Sequence, residues 1–171
     1  WATAQTVTVT GVADNSVDGN QNAALTLSVK DSGTRDATFD SVADQTVTAT
    51  VSDINGVGFS VSKSAVSVSE SGSTETFTVV LDSQPASNVV IGVVSGDAGE
   101  AAVSPSGVSA LTFTNSNWAT AQTVTVTGVA DNVTDGNQDA TLTLSVKDDA
   151  SDNAFDSLVD QTVTATVTDI D

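Results

Sequence analysis

Apolar and polar positions alternate along most of the chain. Val124 and Val126 alternate with Thr123, Thr125 and Thr127, with Val129 just beyond Gly128, Leu142, Leu144 and Val146 alternate with Thr143 and Ser145, and Val163, Ala165 and Val167 alternate with Thr162, Thr164 and Thr166. A period of two puts every second side chain on one face, so these segments are expected to be strands with one buried and one wet face. Phe77, Val79 and Leu81 make a similar strand. The run Val89-Val90-Ile91-Gly92-Val93-Val94 is apolar throughout and fits a more central position. Shorter strands are expected near Phe59 to Val68, Glu100 to Val103 and Ala110 to Phe113. Turn signals at Ser71-Gly72, Gln84-Pro85, Ser95-Gly96-Asp97, Pro105-Ser106-Gly107 and Asp135-Gly136 separate them, and no stretch carries a helical stripe. The pattern is that of an all-β protein, an antiparallel β-sandwich of about seven to nine strands. Its core is light, with Phe77, Phe113, Trp118 and Phe155 as the larger pieces.

The alternation repeats at long range. Trp1 through Asn15 recurs unchanged as Trp118 through Asn132, an offset of 117 residues. The match continues through Asp18-Gly19-Asn20-Gln21 and Leu25 to Asp31, loses one residue in the acidic loop, and resumes with Asp44 to Val51 against Asp160 to Val167. The chain thus holds about one and a half units of a tandem repeat. Ser52-Asp53-Ile54-Asn55-Gly56-Val57-Gly58 reads as a short linker, and Thr168-Asp169-Ile170-Asp171 stops at the matching place. Residues 56–171 are therefore expected to form one complete domain, and residues 1–55 the C-terminal half of a truncated one. Strands are expected in that half near Gln5 to Val12, Leu25 to Val29 and Gln45 to Val51. Their inward apolar face would be covered by neighbouring repeats or by other copies of the chain.

Charge narrows the function. The 171 residues carry 22 acidic and 4 basic side chains, a net charge of −18, with no histidine and no cysteine. Four scattered cations, Lys30, Arg35, Lys63 and Lys147, cannot neutralise a phosphate backbone, so nucleic acid is excluded as a partner. An anionic membrane surface is disfavoured for the same reason, and no apolar run approaches the roughly 20 residues of a spanning helix. With no initiator methionine and no signal-like start, the chain is expected to be an internal piece of something longer. Without histidine, cysteine or a plausible lysine base beside the many serines, nucleophilic catalysis is not expected, and the protein reads as a non-enzyme.

The carboxylates carry the chemistry. They gather at strand ends, while the wet strand faces are mostly threonine and serine. Glu70 ends the first strand region, Asp131-Asn132 and Asp135 follow the strand that begins near Gln122, and Asp169 and Asp171 close the last strand. In an antiparallel sandwich these ends can meet at one pole, where like charges repel. A divalent cation relieves that repulsion, and an all-oxygen donor set selects a hard ion, calcium, over zinc or copper. The bland alternative is a solvated acidic loop, since Asp and Asn are ordinary turn residues.

Taken in order, Val66-Ser67-Val68-Ser69-Glu70-Ser71-Gly72, Phe77 to Leu81, Leu111-Thr112-Phe113, Gln122 to Asp131 and Val167 to Asp171 resemble a Calx-β domain. The version repeated in large bacterial surface and adhesin proteins is the most similar, with an Asn-Trp step like Asn117-Trp118 ahead of the same strand. The resemblance implies an immunoglobulin-like β-sandwich with calcium ligands at Glu70, Asp131, Asp135, Asp169 and Asp171. By the internal repeat, Asp14, Asp18 and Asp53 are their counterparts in the first unit. The sequence departs from the family pattern where Asn132 stands for a common second aspartate and Ile170 interrupts the terminal triplet. No clear counterpart is found for an aspartate those members supply from mid-domain.

Other residues read more simply. Trp118 could stack on a sugar, but closing an aromatic-poor core is the commoner role. Asp148, Asp149, Asp152, Asp156 and Asp160 read as a solvated hairpin loop, like the Asp31 to Asp44 loop into which Arg35 intrudes. The expected function is that of a structural or adhesive repeat module, extracellular or at the cell surface, stiffened by calcium at its joints. The alternative is a calcium-dependent module that binds a glycan or protein ligand.

Overall fold

The computed structural model describes residues 2–30 and 37–171; Trp1 and residues 31–36, including Arg35, lie outside the described residues. The chain divides into two compact units, Trp1–Asp14 with Asp18–Ile54, and Asn15–Val17 with Asn55–Asp171.

In the first unit β1 (Gln21–Leu27) pairs antiparallel with β2 (Gln45–Val51), placing Leu25 opposite Val47. The strand expected over Gln5 to Val12 is absent, because a strand needs a ladder partner for its N–H and C=O groups. Its counterpart in the second unit is flanked on both sides by strands that arise from residues 56–117.

The second unit contains β3 (Phe59–Val61), β4 (Ala65–Ser69), β5 (Thr74–Leu81), β6 (Val89–Ser95), β7 (Ala101–Ser104), β8 (Gly107–Phe113), β9 (Gln122–Gly128), β10 (Gln138–Val146) and β11 (Gln161–Thr168). They form two sheets, β4-β11-β10-β6-β8 and β3-β5-β9-β7, the layers of an immunoglobulin-like β-sandwich. The unbroken apolar run forms β6, between β10 and β8, where Val89, Val90, Ile91 and Val93 are all buried. One pair departs from antiparallel order: β11 runs parallel to β4. These strands come from opposite ends of the repeat, so no hairpin dictates their direction.

Inward residues of both sheets share one core, with Phe77, Phe113 and Phe155 fully buried. Trp118 is half-buried against that core, and its carbonyl accepts a hydrogen bond from the Leu81 N–H, an arrangement that closes the sandwich.

The acidic loop between β10 and β11 is less passive than its composition suggests. Asp152 accepts hydrogen bonds from the backbone N–H of Ala86 (2.7 Å), Ser87 (3.0 Å) and Ala154 (3.1 Å), tying this loop to the one between β5 and β6. Burial pushes its pKa up, but the three donors outweigh that and hold it below the ordinary value of 3.8. Charge-assisted bonds of this kind contribute about 1–2 kcal/mol, so Asp152→Ala is expected to lower stability by that amount in urea unfolding at neutral pH. Because the folded pKa is depressed, the contribution is present above pH 4 and lost as pH falls through the folded value. Wild type and variant should therefore converge in strong acid.

Candidate metal centre

The pole of the second unit is assembled from four chain segments. Glu70 directly follows β4, and its N–H donates to the Thr168 carbonyl at the end of β11 (3.2 Å), a continuation of the parallel pairing. Glu100 directly precedes β7, and its carbonyl accepts from Val129 N–H (2.8 Å) just beyond β9. Asp131 and Asp135 lie in the loop between β9 and β10, and Asp169 and Asp171 follow β11. At Gly136 the backbone takes a positive φ of 80°, which glycine adopts without a side-chain clash. The turn presents the Gly136 N–H to Asp169 Oδ2 at 2.7 Å, while Asp171 N–H donates to Asp169 Oδ1 at 2.9 Å.

Two trios of carboxylates result. Oxygens of Glu70, Asp169 and Asp171 lie within 4.8 Å of one another, as do those of Glu100, Asp131 and Asp135. The five residues read from the sequence are thus brought to one pole in two groups. Glu70 is 2% exposed and Glu100 8%, while Asp131, Asp135 and Asp171 face solvent. Glu70 Oε2 accepts a long bond from Ile170 N–H (3.5 Å), whereas buried Glu100 Oε2 has no hydrogen-bond partner.

The electrostatics follow this burial. Burial pushes the Glu70 carboxyl up from its usual range, and Asp169, Asp131 and Asp171 push it further against the opposing Ile170 N–H. Glu100 is raised by burial and then by Asp131, Asp135, Asp97 and Glu70. Asp169 is lowered, chiefly by the N–H groups of Asp171 and Gly136. The two described ion pairs, Lys63 with Glu75 and Lys147 with Asp149, engage neither trio. A pole of acids, one of them buried with an unpartnered oxygen, is a donor set suited to a hard cation with many oxygen ligands.

Glu100 escapes sequence reasoning because it precedes a short strand with no acidic neighbour in its own turn except Asp97. Its only signal is that a carboxylate directly precedes the buried Ala101, where a solvating acid is not needed. In the first unit Asp53 Oδ2 accepts from the N–H of Asp18 (3.1 Å) and Gly19 (2.8 Å), repeating the loop geometry around Asp169. Among the described residues Asp14, Asp18 and Asp53 do not form a trio, since the two glutamates of the pole come from the other half of the repeat.

No protein-family model and no curated protein matches this chain. Solved structures do. Domains 4 and 5 of the S-layer protein SbsC are 23% identical over 74% of this chain, with a TM-score of 0.47. The chain spans 52% of that two-domain structure and 15% of a six-domain structure of the same protein. The apo-form Calx CBD1 domain is 12% identical, covering 68% of this chain and all of that one, with a TM-score of 0.48. The periplasmic chaperone SfaE is 8% identical over 67% of this chain and 58% of that one, at a TM-score of 0.49. The β-sandwich of this chain rests on its own strand pairing and not on these likenesses. No helix among the described residues is long and apolar enough to cross a membrane.

Proposed function

We propose that the chain is part of an extracellular structural repeat module whose acidic pole binds calcium and is stiffened by it. The observation that carries this reading is the buried, unpartnered Glu100 Oε2 at the meeting point of Asp131 and Asp135, beside the Glu70, Asp169 and Asp171 trio. Burying ionisable carboxylates side by side is unfavourable unless a cation compensates them. Glu70 and Glu100 would provide the inner ligands and the four aspartates the outer ones, with calcium supplying neutralising charge that ties the segments after β4, β9 and β11 together. The near-identical repeat supports a role in building length, because stacked copies extend a rod more readily than they elaborate one pocket.

Thermal unfolding of the full chain tests the binding. Calcium, which binds the folded pole alone, is expected to stabilise the second unit by about 2.7 kcal/mol at a hundredfold excess over its Kd, and magnesium much less. Small-angle scattering from an array of complete repeats tests the stiffening: the maximum dimension should rise with calcium and fall with chelator. An unchanged melting temperature in millimolar calcium would remove the site, and unchanged scattering would leave a plain spacer.

A further inference from the structure

The first unit shows what half a repeat does without its other half. β1 and β2 pair as β10 and β11 do: Gln21 faces Val51 as Gln138 faces Val167, and Leu25 faces Val47 as Leu142 faces Val163. The inward positions are nevertheless open. Val7, Leu27, Phe39 and Val47 are 69%, 49%, 55% and 54% exposed, whereas their counterparts Val124, Leu144, Phe155 and Val163 are all at 0%. In the second unit those counterparts are closed over by residues 56–117. β5 and β7 flank β9, β6 pairs with β10, β4 pairs with β11, and Phe77, Val79, Ile91 and Phe113 fill the shared core.

From this we infer that the apolar face of residues 1–55 is a docking surface for a segment of the same kind as residues 56–117. Such a partner has alternating inward Val, Phe and Leu residues and edge strands that offer a ladder to residues 5–11. A near-identical apolar set, with Thr38 for Ala154 and Val42 for Leu158, in an identical strand register fits the same complement. The partner must come from outside this chain's own second unit, because its residues 56–117 are already paired with residues 118–171. Nor can exchange with a second copy supply it. Each copy carries two C-terminal halves and one N-terminal half, so every exchange uncovers one face as it covers another. The inference does not depend on calcium.

The test joins a second copy of residues 56–117 directly ahead of Trp1 of the full chain, the junction by which Asn117 precedes Trp118. Amide exchange is read in peptides that run into Ser16-Val17 or Val133-Thr134, which distinguish the two identical stretches. Residues 5–11, which form no strand here, are expected to exchange fast in the parent chain and to slow at least ~100-fold in the joined one, toward the protection expected of residues 122–128. Phe77→Asp in the added copy alone should restore fast exchange there and leave residues 122–128 protected. Unchanged exchange at residues 5–11 in the joined chain overturns the inference. So does protection in the parent chain that rises with protein concentration, which would make a second copy the occupant.

Discussion

Gly128→Ala is expected to destabilise the second unit by about 3 kcal/mol or more, while the same change at its repeat counterpart, Gly11→Ala, should leave stability within about 0.5 kcal/mol. The two glycines end the same Gln-Thr-Val-Thr-Val-Thr-Gly stretch. At Gly128 an added Cβ would lie 2.6 Å from the Ser69 carbonyl carbon and closer still to its oxygen, and 3.1 Å from the Ser69 nitrogen. These are backbone atoms of β4, held by parallel pairing to β11, and cannot swing aside as a side-chain tip would. At Gly11 the nearest atom is a Val51 methyl at 3.5 Å, an ordinary contact. Differential scanning calorimetry should show the melting temperature of the second unit falling by roughly 10 °C in Gly128→Ala. Because Gly128 lets the two sheets close next to Glu70, the variant should also lose calcium-dependent stabilisation. Equal effects at the two positions would mean that the first unit is packed like the second.

The second large effect is an opposition of sign at Glu100. In the metal-free protein the raised pKa values of Glu70 and Glu100 mean that folding penalises their ionised forms. That penalty is complete above the folded pKa values and is relieved as pH falls through them toward the ordinary 4.5, so stability from these two groups rises on mild acidification. Asp169, with its lowered pKa, works the other way and loses its contribution below the ordinary 3.8. Metal-free protein is therefore expected to melt highest in mild acid and to fall away in strong acid. Calcium needs the ionised carboxylates, so its stabilising increment should shrink over the same interval as protons compete for the oxygens. Glu100→Gln removes the charge and keeps the shape. It should raise the metal-free melting temperature at pH 7.5, flatten the rise on acidification, and weaken calcium binding at least ~10-fold, a loss of about 1.4 kcal/mol. Thermal scans across pH, with calcium and with chelator, check all three. A variant destabilised with and without calcium alike would make Glu100 a structural acid and remove the metal reading.

Much of this was legible in the residue pattern. Alternation located β5, β9, β10 and β11 because each buries one face, and the unbroken run of β6 marked a strand between two others because Val90 and Gly92 are buried along with Val89, Ile91 and Val93, only Val94 at the end of the run being exposed. The strand-end acids reached one pole because strands of a sandwich end together. Glu100 did not declare itself, since what singles it out is burial beside Asp131, a neighbour across the fold and not along the chain. The parallel pairing of β4 with β11 was equally silent, for it joins strands about a hundred residues apart with no turn between them to set direction. The clearest division lies in the repeated stretch itself. Residues 5–11 and 122–128 have one sequence, with the same strand propensity and the same inward valines, yet only the second is a strand. Local sequence determined which side chains would face inward if a sheet formed. Whether it formed was decided by β5 and β7, whose backbone groups pair with β9 and whose side chains bury it.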